Sequence, residues 1–342
     1  MQLGDRQKLI LGAIVNLYIS TGEPVGSKLL ASATGLNLST ATLRNEMSAL
    51  ADMGYLDQPH TSAGRVPTQL GYRTYVDGLM EHYELTAGER RSIDRLFAIR
   101  GADLESLLTK ASDLLADVTG CAAVSAVRQT QGQTVLRIDL AQASRRSALL
   151  VILTSAGVVK SRICKGDEDL DYDMTSFFTN LLNDRIAGRP LNEITPELKN
   201  DIRGELYEYT RALSPVLDAV FSEIGGIGDS EVILGGETNL LSHAAFYGDR
   251  ALELVRFLET KADLAGLMED VREGVRVRIG TEIGPDFMKD SSVIAAPYRV
   301  DGIPSGAIGI IGPTRMNYAK LMSNMKYFSA VLGKLISETF FD

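Results

Sequence analysis

Apolar residues first recur at Leu9, Ile10, Ala13, Ile14, Leu17 and Tyr18. They stand three and four apart, which marks one face of a helix. Gly22 and Pro24 stop it. A second short helix is expected over 27–33, and Gly35 supplies a turn. A third helix starts near Ser39, carries Leu43, Met47 and Leu50 on its apolar face, and ends at Gly54. Residues 55–68 hold Pro59, Gly64 and Pro67, which predicts a short hairpin with a loop between its strands. A further helix is expected over 69–81. Helix, tight turn, helix and hairpin in that order predict a winged helix-turn-helix, a unit that lays one short helix in the DNA major groove.

Thr86-Ala-Gly-Glu89 has the form of a capping box, so a connector helix starts there, with Ile93, Leu96 and Phe97 as its apolar side. Leu104, Leu107, Leu108, Ala111, Leu114, Leu115 and Val118 predict a strongly amphipathic helix. From Cys121 the period changes, and strands are expected over 122–127, 134–140, 148–153 and 158–164. Residues 171–261 read as mostly helical, with Thr195-Pro196-Glu197 as a helix start and a short strand at 232–234. Strands return at 275–279, 293–300 and 307–311, with Asp301-Gly302 as a turn, and a last helix runs over about 318–338. Sheet sequence thus flanks a helical block. The simplest account is one α+β domain with a helical domain inserted into it.

Composition narrows the function classes. The chain has 342 residues, 45% of them hydrophobic and 23% charged, as expected of two or three soluble domains. The polar start Met1-Gln-Leu-Gly-Asp-Arg-Gln-Lys8 predicts no secretory signal, and no apolar run is long enough to span a bilayer. Cys121 and Cys164 lie far apart and are expected to be small buried hydrophobes in a reducing cytosol. The net charge of −9 argues against nonspecific coating of nucleic acid. Even residues 1–82 hold six basic side chains (Arg6, Lys8, Lys28, Arg44, Arg65, Arg73) against seven acidic ones (Asp5, Glu23, Glu46, Asp52, Asp57, Asp77, Glu81). Few phosphate contacts per copy predict weak binding by one copy, and a dimer on two half-sites doubles them.

The third helix is the sharpest candidate site. With Leu43 and Met47 turned inward, Ala41, Arg44, Asn45 and Ser48 fall on the other side. Ser39 and Thr40 stand at its amino end, where N–H groups hold phosphate. Arg44 suits guanine, Asn45 suits adenine, and Thr40 and Thr42 suit a phosphate or a thymine methyl. Pro59-His-Thr-Ser-Ala-Gly-Arg65 is the candidate wing, and Thr61, Ser62, Gly64 and Arg65 are its DNA-facing residues. A solvated helix face and an ordinary surface loop are the plain alternatives, which the surrounding order of elements disfavours.

Other motifs fall short. Asp169-Leu-Asp-Tyr-Asp173 opens like a calcium loop, but Met174 stands where glycine is required and Asn180 where glutamate is. Gly306-Ala-Ile-Gly-Ile-Ile-Gly312 lacks nucleotide-loop spacing and reads as a strand with close backbone packing. His60, His82 and His243 are too widely spaced to support a zinc cluster or a Ser/His/Asp triad. No catalytic residue, cofactor or metal is expected.

Several segments together resemble the heat-inducible transcription repressor HrcA family. They are Tyr18-Ile-Ser-Thr-Gly-Glu-Pro-Val-Gly-Ser-Lys-Leu29, Ser39-Thr-Ala-Thr-Leu-Arg-Asn-Glu-Met-Ser-Ala-Leu50, His60-Thr-Ser-Ala-Gly-Arg-Val-Pro-Thr68 and Gly71-Tyr-Arg-Thr-Tyr-Val76, with Ile233-Leu-Gly-Gly236, Asn239-Leu-Leu241 and the 306–318 segment further on. Related winged-helix readers often carry arginine immediately after the serine at the start of the recognition helix, where this chain has Thr40. The resemblance implies a cytoplasmic bacterial repressor of chaperone operons that binds an inverted-repeat operator, the CIRCE element, as a homodimer. It implies activity supported by a GroEL-type chaperonin, which unfolded protein titrates away on heating. It also implies an α+β multidomain chain: a winged helix-turn-helix at 1–82, a connector helix at 83–102, a GAF-like domain in two parts at 103–166 and 271–342, and an inserted, mainly helical dimerisation domain at 167–270. Two rival readings stay open. One makes the GAF-like domain a small-molecule sensor in a DNA-binding regulator, and the other makes the C-terminal α+β domain an enzyme.

Overall fold

The computed structural model describes residues 3–35, 38–60, 63–98, 104–127, 133–155, 158–227, 232–241 and 249–340. The N-terminal unit follows the expected order. Helix α1 (Asp5–Thr21) ends on Gly22, whose φ of 78° closes the helix in the left-handed region. Helices α2 (Ser27–Thr34) and α3 (Thr40–Asp52) form the helix-turn-helix, and β1 (Leu56–Asp57) pairs antiparallel with β2 (Val66–Pro67) to form the wing. Ile10, Leu11, Ile14, Leu30, Leu43, Leu50 and Leu56 are buried together, so the helical periodicity read from sequence is the core of this unit. Helix α4 (Gln69–Thr74) is shorter than expected. It widens into a π turn over Tyr75–Leu79, where Met80 N–H donates to the Tyr75 carbonyl at 2.9 Å.

Helix α5 (Ala87–Asp94) starts on the Thr86–Glu89 capping box, and α6 (Leu104–Thr119) leads into the C-terminal body. That body holds a five-stranded antiparallel sheet in the order β7 (Val232–Gly235), β3 (Ala122–Val127), β10 (Ile303–Pro313), β9 (Ser291–Val300) and β8 (Arg276–Ile279). Successive strand residues face opposite sides. Ile294, Ile308 and Ile310 pack under α6 and α13 (Tyr318–Phe340), whereas Val293, Ala295, Ala307 and Ile311 pack with α10 (Glu237–Leu241), α11 (Asp249–Glu259) and α12 (Lys261–Met268). Both faces are covered, which explains unbroken apolar runs such as Val293-Ile-Ala-Ala296. Gly306 is required within β10, because a Cβ there would lie 2.4 Å from the Ala126 carbonyl oxygen.

A second sheet differs from the expected organisation. Strands β4 (Val135–Ser144), β5 (Ser147–Thr154) and β6 (Val159–Lys165) do not join the strands of 271–342 but form their own three-stranded antiparallel sheet. Helices α7 (Tyr172–Ile186) and α9 (Thr210–Gly226) pack on it, and α8 (Pro196–Gly204) packs on α9. Conversely, β7, α10, α11 and α12 lie with the five-stranded sheet, although they fall inside the 167–270 block. The elements from β4 to α9 therefore pack as one group around the three-stranded sheet. Periodicity identified the strands but could not identify their partners.

Candidate nucleic-acid interface

Ser39 sets the start of α3. Its hydroxyl accepts from Thr42 N–H at 3.0 Å and lies 2.9 Å from the Thr42 hydroxyl. Thr42 is half-buried, so both residues shape the helix terminus as well as lining it. Thr40, Arg44 and Asn45 are exposed, and none of their side chains forms a hydrogen bond or ion pair among the described residues. Leu43 and Met47 are buried on the opposite face. Glu46, one turn along, is held by an ion pair with Arg6 of α1. The outcome is a rigid helix presenting a guanidinium and a carboxamide to solvent.

The wing is braced by its own side chains. Arg65 donates to Gln58 Oε1 at 2.7 Å across the hairpin, and Gln58 Nε2 donates to the Ala63 carbonyl at 3.2 Å. Arg65 also exchanges backbone hydrogen bonds, both of 2.9 Å, with Val25 ahead of α2. Gly64 lies against that segment, and a Cβ there would stand 2.5 Å from the Val25 carbonyl oxygen. The glycine is thus demanded by contact within the protein, an account that sequence reasoning did not provide. His60 is exposed and accepts a backbone hydrogen bond from Ala63 at 2.9 Å, which turns the loop. Thr61 and Ser62 lie outside the described residues. The structure thus brings Ser39, Thr40, Arg44 and Asn45 together on one helix, with Gly64 and Arg65 at the neighbouring wing.

A second set of residues, missed in the sequence, seats the winged helix on the C-terminal body. Arg73 of α4 donates through Nε to Glu282 at 2.9 Å, through Nη2 to the same carboxylate and to the Val277 carbonyl at 2.8 Å, and through Nη1 to Asp77 at 3.1 Å. Gln69 Oε1 accepts from Thr281 N–H at 3.1 Å and from its hydroxyl at 2.9 Å. Arg315 donates to the Ile19 carbonyl at 3.3 Å, near the end of α1, and the Tyr72 and Tyr318 rings stand 5.9 Å apart. Burial alone would raise the Glu282 carboxyl, but hydrogen bonds from Arg73 and from Ile279 N–H hold it below the usual carboxylate range.

The remaining candidates have plain structural roles. Asp171, within the calcium-loop-like run, caps α7 by accepting from Met174 N–H at 2.8 Å. Cys121 and Cys164 are buried, and burial pushes both thiols up, Cys121 to about 11. Among the described residues no cluster of three His, Cys, Asp or Glu side chains is placed to hold a metal ion, and no helix is long and apolar enough to cross a membrane.

Known proteins match both halves of the chain. Residues 2–77 match the family described as winged helix-turn-helix transcription repressor, HrcA DNA-binding, and residues 105–322 match the HrcA protein C terminal domain. A heat-inducible transcription repressor HrcA of Lachnoclostridium phytofermentans is 36% identical, with 99% of each chain covered. The protein of that name from Geobacter sulfurreducens is 33% identical, with 98% of each covered. A crystal structure of a hypothetical protein at 2.2 Å resolution superposes with a TM-score of 0.67 at 26% identity, covering 99% of this chain and 100% of that one.

Proposed function

This chain belongs to the HrcA family of transcription repressors, a DNA-binding regulator and not an enzyme, and on that premise we propose that it represses chaperone operons by binding a CIRCE-type inverted repeat as a homodimer. The observation that carries the reading is the outward face of α3, where Arg44 and Asn45 stand exposed on a capped helix beside the wing. Those donors fit guanine and adenine edges in the major groove. Thr40 and the Ser39 end of the helix suit a phosphate. Thr42 supports the cap, Arg65 and Gly64 brace the wing, and Thr61 and Ser62 are small polar residues of the kind that suit the DNA backbone.

Two features favour a dimer. The near balance of charge over residues 1–82 leaves one copy short of phosphate contacts. The three-stranded sheet offers an apolar face for pairing: Leu149 stands opposite Ile163 and Leu153 opposite Val159, on the side away from α7 and α9. Ile163 is 64% exposed. A GroEL-type chaperonin supports the DNA-binding state, and its diversion to unfolded protein on heating releases repression. The metabolite-sensor alternative needs space beside the five-stranded sheet, whose described side chains are packed on both faces.

Footprinting and anisotropy titrations on an inverted repeat, a single arm and a scrambled duplex test the reading. The expected result is two protected arms one or more helical turns apart, a steeper salt slope for the repeat than for one arm, and tighter binding with chaperonin present. Equal affinity for the repeat and the scrambled duplex would refute it. Ile163→Lys is expected to sediment as a monomer and to lose the advantage of the repeat over one arm.

A further inference from the structure

The contact between the winged helix and the C-terminal body is unlike the loose linkage that a short connector would give. It is polar, directional and spread over three places. Arg73 engages one carboxylate through two nitrogens, a geometry that fixes orientation as well as distance. Glu282 is fixed in turn, because it also accepts from Ile279 N–H at 3.0 Å. The two side chains are 25% and 31% exposed, so the pair is partly shielded from solvent. Gln69, one turn earlier on α4, is held by Thr281, and Gly280 makes room for it: a Cβ at Gly280 would stand 2.7 Å from Gln69 Oε1. At the far end of the unit, Arg315 reaches the Ile19 carbonyl and lies over Gly22.

Helix α4 follows the wing strand β2 directly, with only Thr68 between them. Whatever fixes α4 therefore fixes the wing and, through the Thr68 N–H bond of 3.1 Å to Tyr55, the end of the α3 segment. We infer that Arg73 and Glu282, with Gln69 and Thr281, hold each winged helix at a set angle on the body and so determine the spacing between operator arms that the dimer accepts. These are positioning residues, since none of them lies on the outward face of α3 or at the wing tip.

The inference rests on the dimeric, inverted-repeat reading proposed above. Two rigidly seated readers engage two arms as one event, because the second arm is met at high effective concentration only when its position matches. Freeing the seat costs orientational entropy on binding and widens the range of arm positions that can be reached.

The test uses the full-length protein and four duplexes: the inverted repeat, the repeat lengthened by about half a helical turn, the repeat lengthened by about a full turn, and one arm alone. Wild-type protein is expected to prefer the repeat over one arm by about a hundredfold and to lose about tenfold on the half-turn insertion. Glu282→Gln and Gln69→Ala are each expected to weaken repeat binding several-fold, leave one-arm binding unchanged, and reduce the half-turn loss to about twofold. A fraction of unfolded protein lowers affinity for every duplex alike, so the ratio between spacers reports orientation alone. A wild-type spacer ratio in both variants overturns the inference. Absence of any wild-type preference for the repeat over one arm refutes the dimeric reading itself, a result visible before any variant is made.

Discussion

The winged helix has two arginine-bearing faces that do opposite things with the same chemistry. On α3, Arg44 is exposed and its side chain forms no bond among the described residues. On α4, Arg73 donates to Glu282, Asp77 and a main-chain carbonyl. Both helices start on a hydroxyl cap, Ser39 for one and Thr68 for the other, and both bury their apolar side in the same core. What separates them is satisfaction. Donors already paired inside the protein hold it together, whereas unpaired donors on a rigid helix are free to pair with another molecule.

The strongest way to break the seated face is Tyr72→Ala. Tyr72 is 3% exposed and packs on Tyr318, so removing the ring is expected to cost about 3–5 kcal/mol in chemical denaturation. Its hydroxyl has no hydrogen-bond partner among the described residues, so Tyr72→Phe is expected to be neutral or stabilising. A large loss with phenylalanine would mean that the hydroxyl, not the ring, holds the seat. On the outward face, Arg44→Ala is expected to weaken operator binding by about 1–3 kcal/mol per arm while leaving the melting temperature unchanged. A shift in melting with unchanged DNA affinity would exchange the roles of the two faces.

The difference in satisfaction also separates what the sequence made legible from what it did not. The outward face was readable because its logic is local. Ser39, Leu43, Met47 and Leu50 report cap and buried stripe within four turns, and the opposite residues follow from 3.6-residue periodicity. The seated face was not, because the partner of Arg73 lies 209 positions away. An arginine destined for Glu282 looks in sequence like any solvated arginine. Sheet membership failed for the same reason. Val232-Ile-Leu234 has strand character in isolation, yet only its register against Val124-Ser-Ala126 assigns it to the five-stranded sheet. Gly64 shows a third limit: a glycine in a polar loop suggests close approach to something, and only the folded chain reveals that the something is Val25.

A smaller effect is expected at the helix terminus that serves the outward face. Ser39→Ala removes the acceptor for Thr42 N–H and is expected to cost about 1 kcal/mol of stability. Because the same end of α3 is proposed to meet phosphate, operator affinity should fall beyond what the small loss of folded protein explains. Ser39→Asp keeps the cap and adds a negative charge, so it should restore stability but not binding. Recovery of both would leave Ser39 a cap alone.

Acid sharpens the comparison most gently, because the seated side depends on carboxylates and the outward side of α3 does not. Glu89 pairs with Lys320 at 2.6 Å and accepts from Thr86 N–H at 2.8 Å, which joins the start of α5 to α13. The hydrogen bond from Lys320, helped by Thr86, lowers its carboxyl from 4.5 to about 2. Glu282 is shifted in the same direction. A carboxylate more acidic in the folded than in the unfolded chain stabilises fully above its unfolded value. That stabilisation fades as pH falls through the interval between the two values, here from 4.5 toward 2 for Glu89. The difference in melting temperature between wild type and Glu89→Gln should therefore be constant around neutrality and shrink below about pH 4.5. The Lys320 side chain is 39% exposed and that of Glu89 20%, so solvent still reaches the pair, and the difference should be small and should diminish with salt. A difference that holds steady down to about pH 3 would mean that the Glu89 side chain acts through neutral hydrogen bonds, and that the junction of α5 and α13 is not electrostatic.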